Sequence, residues 1–123
     1  MTRLVLPFPP KELNPNKKMH WAQKAKFAKA YREACYVLTK QHMAAGNWLD
    51  LPADGDLHFW LDFYPPDKRH RDDDNLIRAF KSGRDGVADA LGVNDRRFRI
   101  HPYLQTTIGG MVKVEITEGP KND

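Results

Sequence analysis

The chain has 123 residues, 41% of them hydrophobic and 29% charged, and a formal net charge of +4. That is enough for one domain, residues 1–123, with a modest core. The single cysteine, Cys35, excludes an intrachain disulfide framework, and no apolar run reaches the ~20 residues of a membrane span.

The opening "MTRLVLPFPP" has too short an apolar stretch and too early a proline pair for a signal peptide, so a cytoplasmic protein is expected. Residues 3–8, "RLVLPF", read as a short strand stopped by Pro9 and Pro10. A polar loop, "KELNPNKK", follows. From about His20 to Ala45 apolar residues recur at three- and four-residue steps: Trp21, Ala25, Phe27, Ala28, Tyr31, Ala34, Cys35 and Leu38. That spacing predicts a helix with one apolar stripe, closed by Gly46. "DLHFWLDFY", residues 56–64, alternates as a strand, with Leu57, Phe59, Leu61 and Phe63 on one face. A second helix is expected from about Asp73 to Leu91. Residues 97–107 read as extended, Gly109-Gly110 as a hairpin turn, and Val112, Val114 and Ile116 as alternating positions of a last strand. The tail "GPKND" should fray. The fold class expected is α/β with an α+β character: a small mixed sheet of about four strands packed with two main helices.

Charge is unevenly placed. Between Lys11 and Lys40 the chain carries eight lysines and arginines against Glu12 and Glu33. Such a field attracts polyanions such as nucleic acid, and it also suits a solvated helix face.

"RHRDDDNLIRAF", residues 69–80, sets three aspartates side by side where the second helix should begin. Adjacent carboxylates repel, so something must offset them. A helix N-terminus accounts for one or two: the exposed N–H groups favour negative charge by ~0.3–1 kcal/mol, and a capping aspartate adds ~1 kcal/mol. A divalent cation is the other offset. Mg²⁺ takes oxygen ligands and needs only one or two carboxylates besides water and substrate phosphate. Asp72 and Asp74, two apart, could face one cleft, and Asp95 in "GVNDRR" is the candidate third carboxylate. Lys81 lies seven residues from Asp74, with Arg78 between them and Asp85 a further turn along. This is either an exposed salt-bridge ladder or a cation steadying a phosphate.

Taken in order, these motifs resemble the RusA family, small Holliday-junction endodeoxyribonucleases of prophages and their bacterial hosts. The motifs are "RDDDN" at Arg71–Asn75, "FK" at Phe80–Lys81, "ADALGV" at Ala88–Val93 and "ND" at Asn94–Asp95, with "LVLPFPP" and the "AYRE" of Ala30–Glu33 also matching. The resemblance covers nearly the whole chain. It implies a small α/β homodimer that uses Mg²⁺, with no organic cofactor, to nick four-way junction DNA in recombination and repair. By position it places the metal-binding catalytic aspartates at Asp72, Asp74 and Asp95. The family's lysine falls at Arg78 counted from the second aspartate and at Lys81 counted from the helix end. Lys81 is preferred because it also aligns Asp85 with a family aspartate. The family's Asp-Asp is here Asn94-Asp95, so Asn94 could serve only as a neutral ligand.

On that reading Lys17, Lys18, Lys24, Lys26 and Lys29, with Lys68, Arg69, Arg71, Arg96 and Arg97, hold DNA phosphates. Such contacts give affinity and register with little sequence information. Trp21, Trp48 and Trp60 are expected in the core or an interface. The five histidines show no metal-ligand spacing with Cys35. A non-catalytic DNA-binding protein, or a nuclease of flaps and forks, fits the same residues.

Overall fold

Strand alternation gives the sheet two unlike faces. The computed structural model describes residues 2–46 and 51–119. In β2 (Leu57–Tyr64) burial alternates without a break, Leu57, Phe59, Leu61 and Phe63 each being almost fully enclosed. The same period runs through β1 (Thr2–Pro7), with Leu4 and Leu6 inward, and through β4 (Met111–Thr117), with Val112, Val114 and Ile116 inward. The fourth strand, β3 (Phe98–Leu104), completes a sheet in the order β1-β4-β2-β3. β4 runs antiparallel to both neighbours, and β2 pairs in parallel with β3, Leu57 opposite Phe98.

A parallel pair needs a long crossover. Here it carries α2 (Asp73–Ala79) and α3 (Lys81–Leu91), then a 3-10 turn at Asp95–Arg97. α1 (Trp21–Ala44) and α3 cover the inward face. Tyr31 and Cys35 of α1 join Phe80, Val87 and the inward strand residues in one core. Among the described residues the architecture is a mixed α+β fold: a four-stranded mixed sheet with three α-helices. Among the described residues no helix is long and apolar enough to cross a membrane.

Several expectations need correction. The single helix over 73–91 is two helices meeting at Phe80, whose φ and ψ of −81° and −7° end one and open the other. Phe80 is buried edge-on against Phe63, at 5.7 Å between centroids, and against Tyr31 at 6.4 Å. The break lets α2 turn Leu76 and Ala79 into the core while α3 lies along α1. The stripe on α1 is buried only in part. Trp21 is 77% exposed and Phe27 38%. A 24-residue helix spans ~36 Å, longer than the ~26 Å of an eight-residue strand. Its fully buried positions are therefore confined to Tyr31, Cys35 and Thr39. Gly109-Gly110 does not close a β3–β4 hairpin, because β2 lies between those strands. Both glycine N–H groups instead donate to the Pro65 carbonyl, at 2.9 and 3.3 Å. Trp48, expected in the core or an interface, and the tail beyond Gly119, expected to fray, lie outside the described residues.

The contact of α1 with α3 runs through two glycines three residues apart. A Cβ on Gly83 would stand 2.7 Å from Tyr31 Cε2 and 3.2 Å from Cys35 Sγ. One on Gly86 would overlap the Arg32 carbonyl oxygen and lie 3.1 Å from the Tyr36 backbone nitrogen. Arg32 and Asp89 brace the same contact from outside through two N–H···O bonds of 2.7 and 3.0 Å. Backbone cannot rotate away as a flexible side chain can, so Gly86→Ala must separate the helices. Overpacking costs about 1–3 kcal/mol, occasionally more. The expected outcome is a fall of several degrees in the melting temperature of Gly86→Ala by circular dichroism. An unchanged melting temperature would show that the helices do not meet here.

Candidate active site

β1 and β2 both run opposite to β4, so both finish at the same end of the sheet. Open sheets present ligand crevices at the carboxyl ends of their strands. The segment after β1 and residues 65–72 after β2 enclose a cleft of about 530 Å³ there, with Asp72 in its lining. Arg71 braces one wall. It donates to the backbone oxygens of Asp67 and Arg69, at 3.2 and 3.0 Å, and pairs with the Asp67 carboxylate at 2.9 Å. Its guanidinium lies over the Phe8 ring, 5.5 Å from the centroid. The Arg69 backbone N–H, aided by Arg71, holds the Asp67 carboxyl below the usual carboxylate range.

Asp72 is the N-cap of α2. Its Oδ1 accepts from the backbone N–H groups of Asp74, at 2.8 Å, and Asn75, at 3.4 Å. The capping reading thus holds for this aspartate. Asp73 and Asp74 follow in the first turn, exposed. No hydrogen bond or ion pair engages the carboxylate of either among the described residues.

A second cluster centres on Lys81. Its Nζ donates to Asp85 Oδ1 at 2.7 Å and to Asp95 Oδ2 at 3.1 Å, and Arg84 Nη2 stands 4.0 Å from the same Asp95 oxygen. Asn94 caps the 3-10 turn by accepting from Arg96 N–H at 2.9 Å, which sets Asp95 beside α3. Hydrogen bonding to Lys81, ahead of its charge, holds the Asp95 carboxyl below the usual range. The Asp85 bond in turn raises the Lys81 ammonium. The structure therefore brings Lys81 and Asp95 together, and sets the Asp74 backbone N–H against the Asp72 carboxylate. Asp95 lines a separate cleft of about 360 Å³ with Asp85 and Asp89. Among the described residues, no three histidine, cysteine or acidic side chains form a group that could hold a metal ion. Arg78 is exposed on α2, without a hydrogen bond or ion pair among the described residues.

The basic residues differ in their commitments. Lys17, Lys18, Lys26, Lys29, Lys68, Arg69 and Arg96 are exposed. Lys24 Nζ donates to the Asn14 carbonyl at 3.0 Å. Arg97 donates to the Gly55 and Pro52 carbonyls at 2.8 and 2.7 Å, tying down the approach to β2. On the outer face of the sheet His58 Nδ1 and His101 Nε2 are 2.8 Å apart, and Trp60 stacks on His101 at 4.0 Å between centroids. Burial, then the nearby His58, lowers the His101 pKa. Sequence reasoning missed this pair. The outward phase of His58 was legible, but its neighbour depends on the parallel pairing of β2 with β3.

The chain is 42% identical over 119 residues to an uncharacterized protein of Xylella fastidiosa (strain Temecula1 / ATCC 700964). The alignment covers 95% of this chain and 76% of that protein. The two belong to one family. No protein-family model matches the chain.

Lys81→Met removes the ammonium between Asp85 and Asp95. Because the folded-state pKa of Asp95 is depressed, the pair's contribution is present above the ordinary carboxylate pKa and lost as pH falls through the lowered value. Carboxyl-carbon NMR titration should show the Asp95 midpoint rising in Lys81→Met. A midpoint that stays put would mean that Lys81 does not hold it.

Proposed function

We propose that this protein is a Mg²⁺-dependent endodeoxyribonuclease that resolves four-way DNA junctions by paired nicks, acting in the cytoplasm as a homodimer in recombination and repair. One observation carries the reading: Asp72, two residues before the exposed Asp74, lines a cleft edged by Lys11, Arg69 and His70. A carboxylate for a cation and the Lys11 and Arg69 cations for a phosphate line one cleft.

The donors suit Mg²⁺, which takes hard oxygens and completes its shell with water and substrate phosphate. Asp72 and Asp74 would hold it, water and substrate phosphate filling the rest of its shell, while Asp95 lies in the separate cleft, paired with Lys81. The bound ion would supply an acidified water and neutralise charge on the phosphate. The chain's own groups do the rest. Asp72 keeps its cap through Oδ1, which leaves Oδ2 outside the cap. Lys81 keeps Asp95 ionised and carries positive charge that a DNA phosphate can share. The exposed lysines of α1 and the segment before it add phosphate contacts without sequence information. A two-fold dimer presents one site to each of two opposed strands, matching the symmetry of the junction.

A second reading has its own support. Asp72 caps a helix and Asp95 is neutralised by Lys81, so both are satisfied without a metal. On that reading the protein binds branched DNA and cuts nothing.

One gel separates them: labelled four-way junction and matched linear duplex, each with Mg²⁺ or EDTA. Nicks should appear in the junction with Mg²⁺ alone, and Asp74→Asn should lose them while still shifting the junction. Binding without cutting, or an Asp74→Asn variant as fast as wild type, defeats the proposal. Affinity should fall with salt at a log–log slope of ~0.9 per phosphate neutralised.

A further inference from the structure

The cleft beside Asp72 is more than the surroundings of a carboxylate. At about 530 Å³ it lies within the roughly 300–1,000 Å³ of small-ligand sites. Its linings are of three chemical kinds. Pro9, Pro10 and Pro66 offer flat apolar walls, Asn14 and Asn75 offer amides, and at the rim Lys11 and Arg69 offer exposed cations and His70 an exposed imidazole. Apolar walls suit the faces of a base and sugar, amides suit a base edge, and the cations suit a phosphate.

The walls are also fixed in advance. Tyr31 Oη donates to the Pro7 carbonyl at 2.6 Å, which anchors the start of the proline segment. Phe8 N–H donates to the Gly110 carbonyl at 3.3 Å, and Gly109 and Gly110 hold Pro65. Arg71 fills the space over Phe8 and fastens the opposite wall to Asp67. A cleft pinned by these contacts loses little entropy on binding.

We propose that this cleft receives one unstacked nucleotide of the bound strand, adjoining the phosphate to be cut; the assignment rests on the nuclease reading above. A paired, stacked base cannot enter a cleft of this size with its partner. Unstacking costs a few kcal/mol and least where pairing is already disturbed, so the cleft reads branch points through a nucleotide that a junction releases and a linear duplex keeps. It also gives the protein a means of preferring one nucleotide at one position.

The test uses four-way junctions carrying a single 2-aminopurine, moved position by position past the crossover, with protein in EDTA so that no strand is cut. The probe brightens when it leaves the stack. Phe8 is covered by Arg71, so prolines rather than an open ring face surround it. Wild type should brighten the probe at one position. With Mg²⁺, the pattern of nicks should depend on the nucleotide placed there. Lys11→Glu and His70→Glu, both at exposed positions, should each raise the protein concentration needed for the signal by ~10-fold, the scale of one lost nucleotide contact. Lys113→Ala, on the far face of the sheet, should leave it unchanged. No brightening at any position while the junction is shifted in a gel overturns the inference. So does a signal indifferent to both rim variants or equally sensitive to Lys113→Ala. Nicking with no brightening leaves the nuclease reading standing and sinks this one. Brightening at one position with no Mg²⁺-dependent nick sinks the nuclease reading, and with it the place of the nucleotide beside a cut phosphate. A junction that is never bound defeats both.

Discussion

The close approach of α3 to α1 at Gly86 is the constraint on which the rest of the arrangement depends. With the Arg32 carbonyl in the space a side chain would fill, α3 lies closer to α1 than any other residue at position 86 would let it. That placement sets the direction in which Lys81, Asp85 and Asp89 leave the helix. Asp89 turns back to Arg32 on α1, while Lys81 and Asp85 face the turn that carries Asp95. The charged cluster is thus a by-product of packing geometry, held by two exposed ion-pair systems that are individually weak.

The sheet supplies the second constraint. Inserting β4 between β1 and β2 makes β1 and β2 point the same way. Two loops distant in sequence, the prolines after Pro7 and the acidic turn before α2, are thereby brought to one end. Neither loop makes a cleft alone. Arg71, which reads as a phosphate contact in sequence, has its fork spent on Asp67, the Arg69 carbonyl and the Phe8 ring. It shapes the cleft from within.

Much of this was legible in the chain. Period-two burial in β1, β2 and β4 followed the alternation of leucine, valine and phenylalanine, because each strand has one face on the core. The N-cap at Asp72 and the Lys81–Asp85 pair followed from local spacing. What was hidden depends on partners far away in sequence. The break at Phe80 exists because Phe63 and Tyr31 enclose that ring. Trp21 has apolar spacing, but the helix outruns the sheet beneath it. His58 and His101 meet through a parallel pairing that no short window reveals. The acidic motif announced two carboxylates at one turn. It could not announce that Asp95 would be taken up by Lys81, since that contact needs the chain to double back after α3.

Cys35 has no exposed surface, and burial pushes its thiol up to about 12. At neutral pH almost none of it is thiolate, the form that reacts with oxidants and alkylating reagents. The native molecule is accordingly inert at its one sulfhydryl, packed under Gly83 at the seam of the two long helices. Any modification must wait for that seam to part, so the rate at which a thiol reagent consumes Cys35 is a clock for the opening of the core.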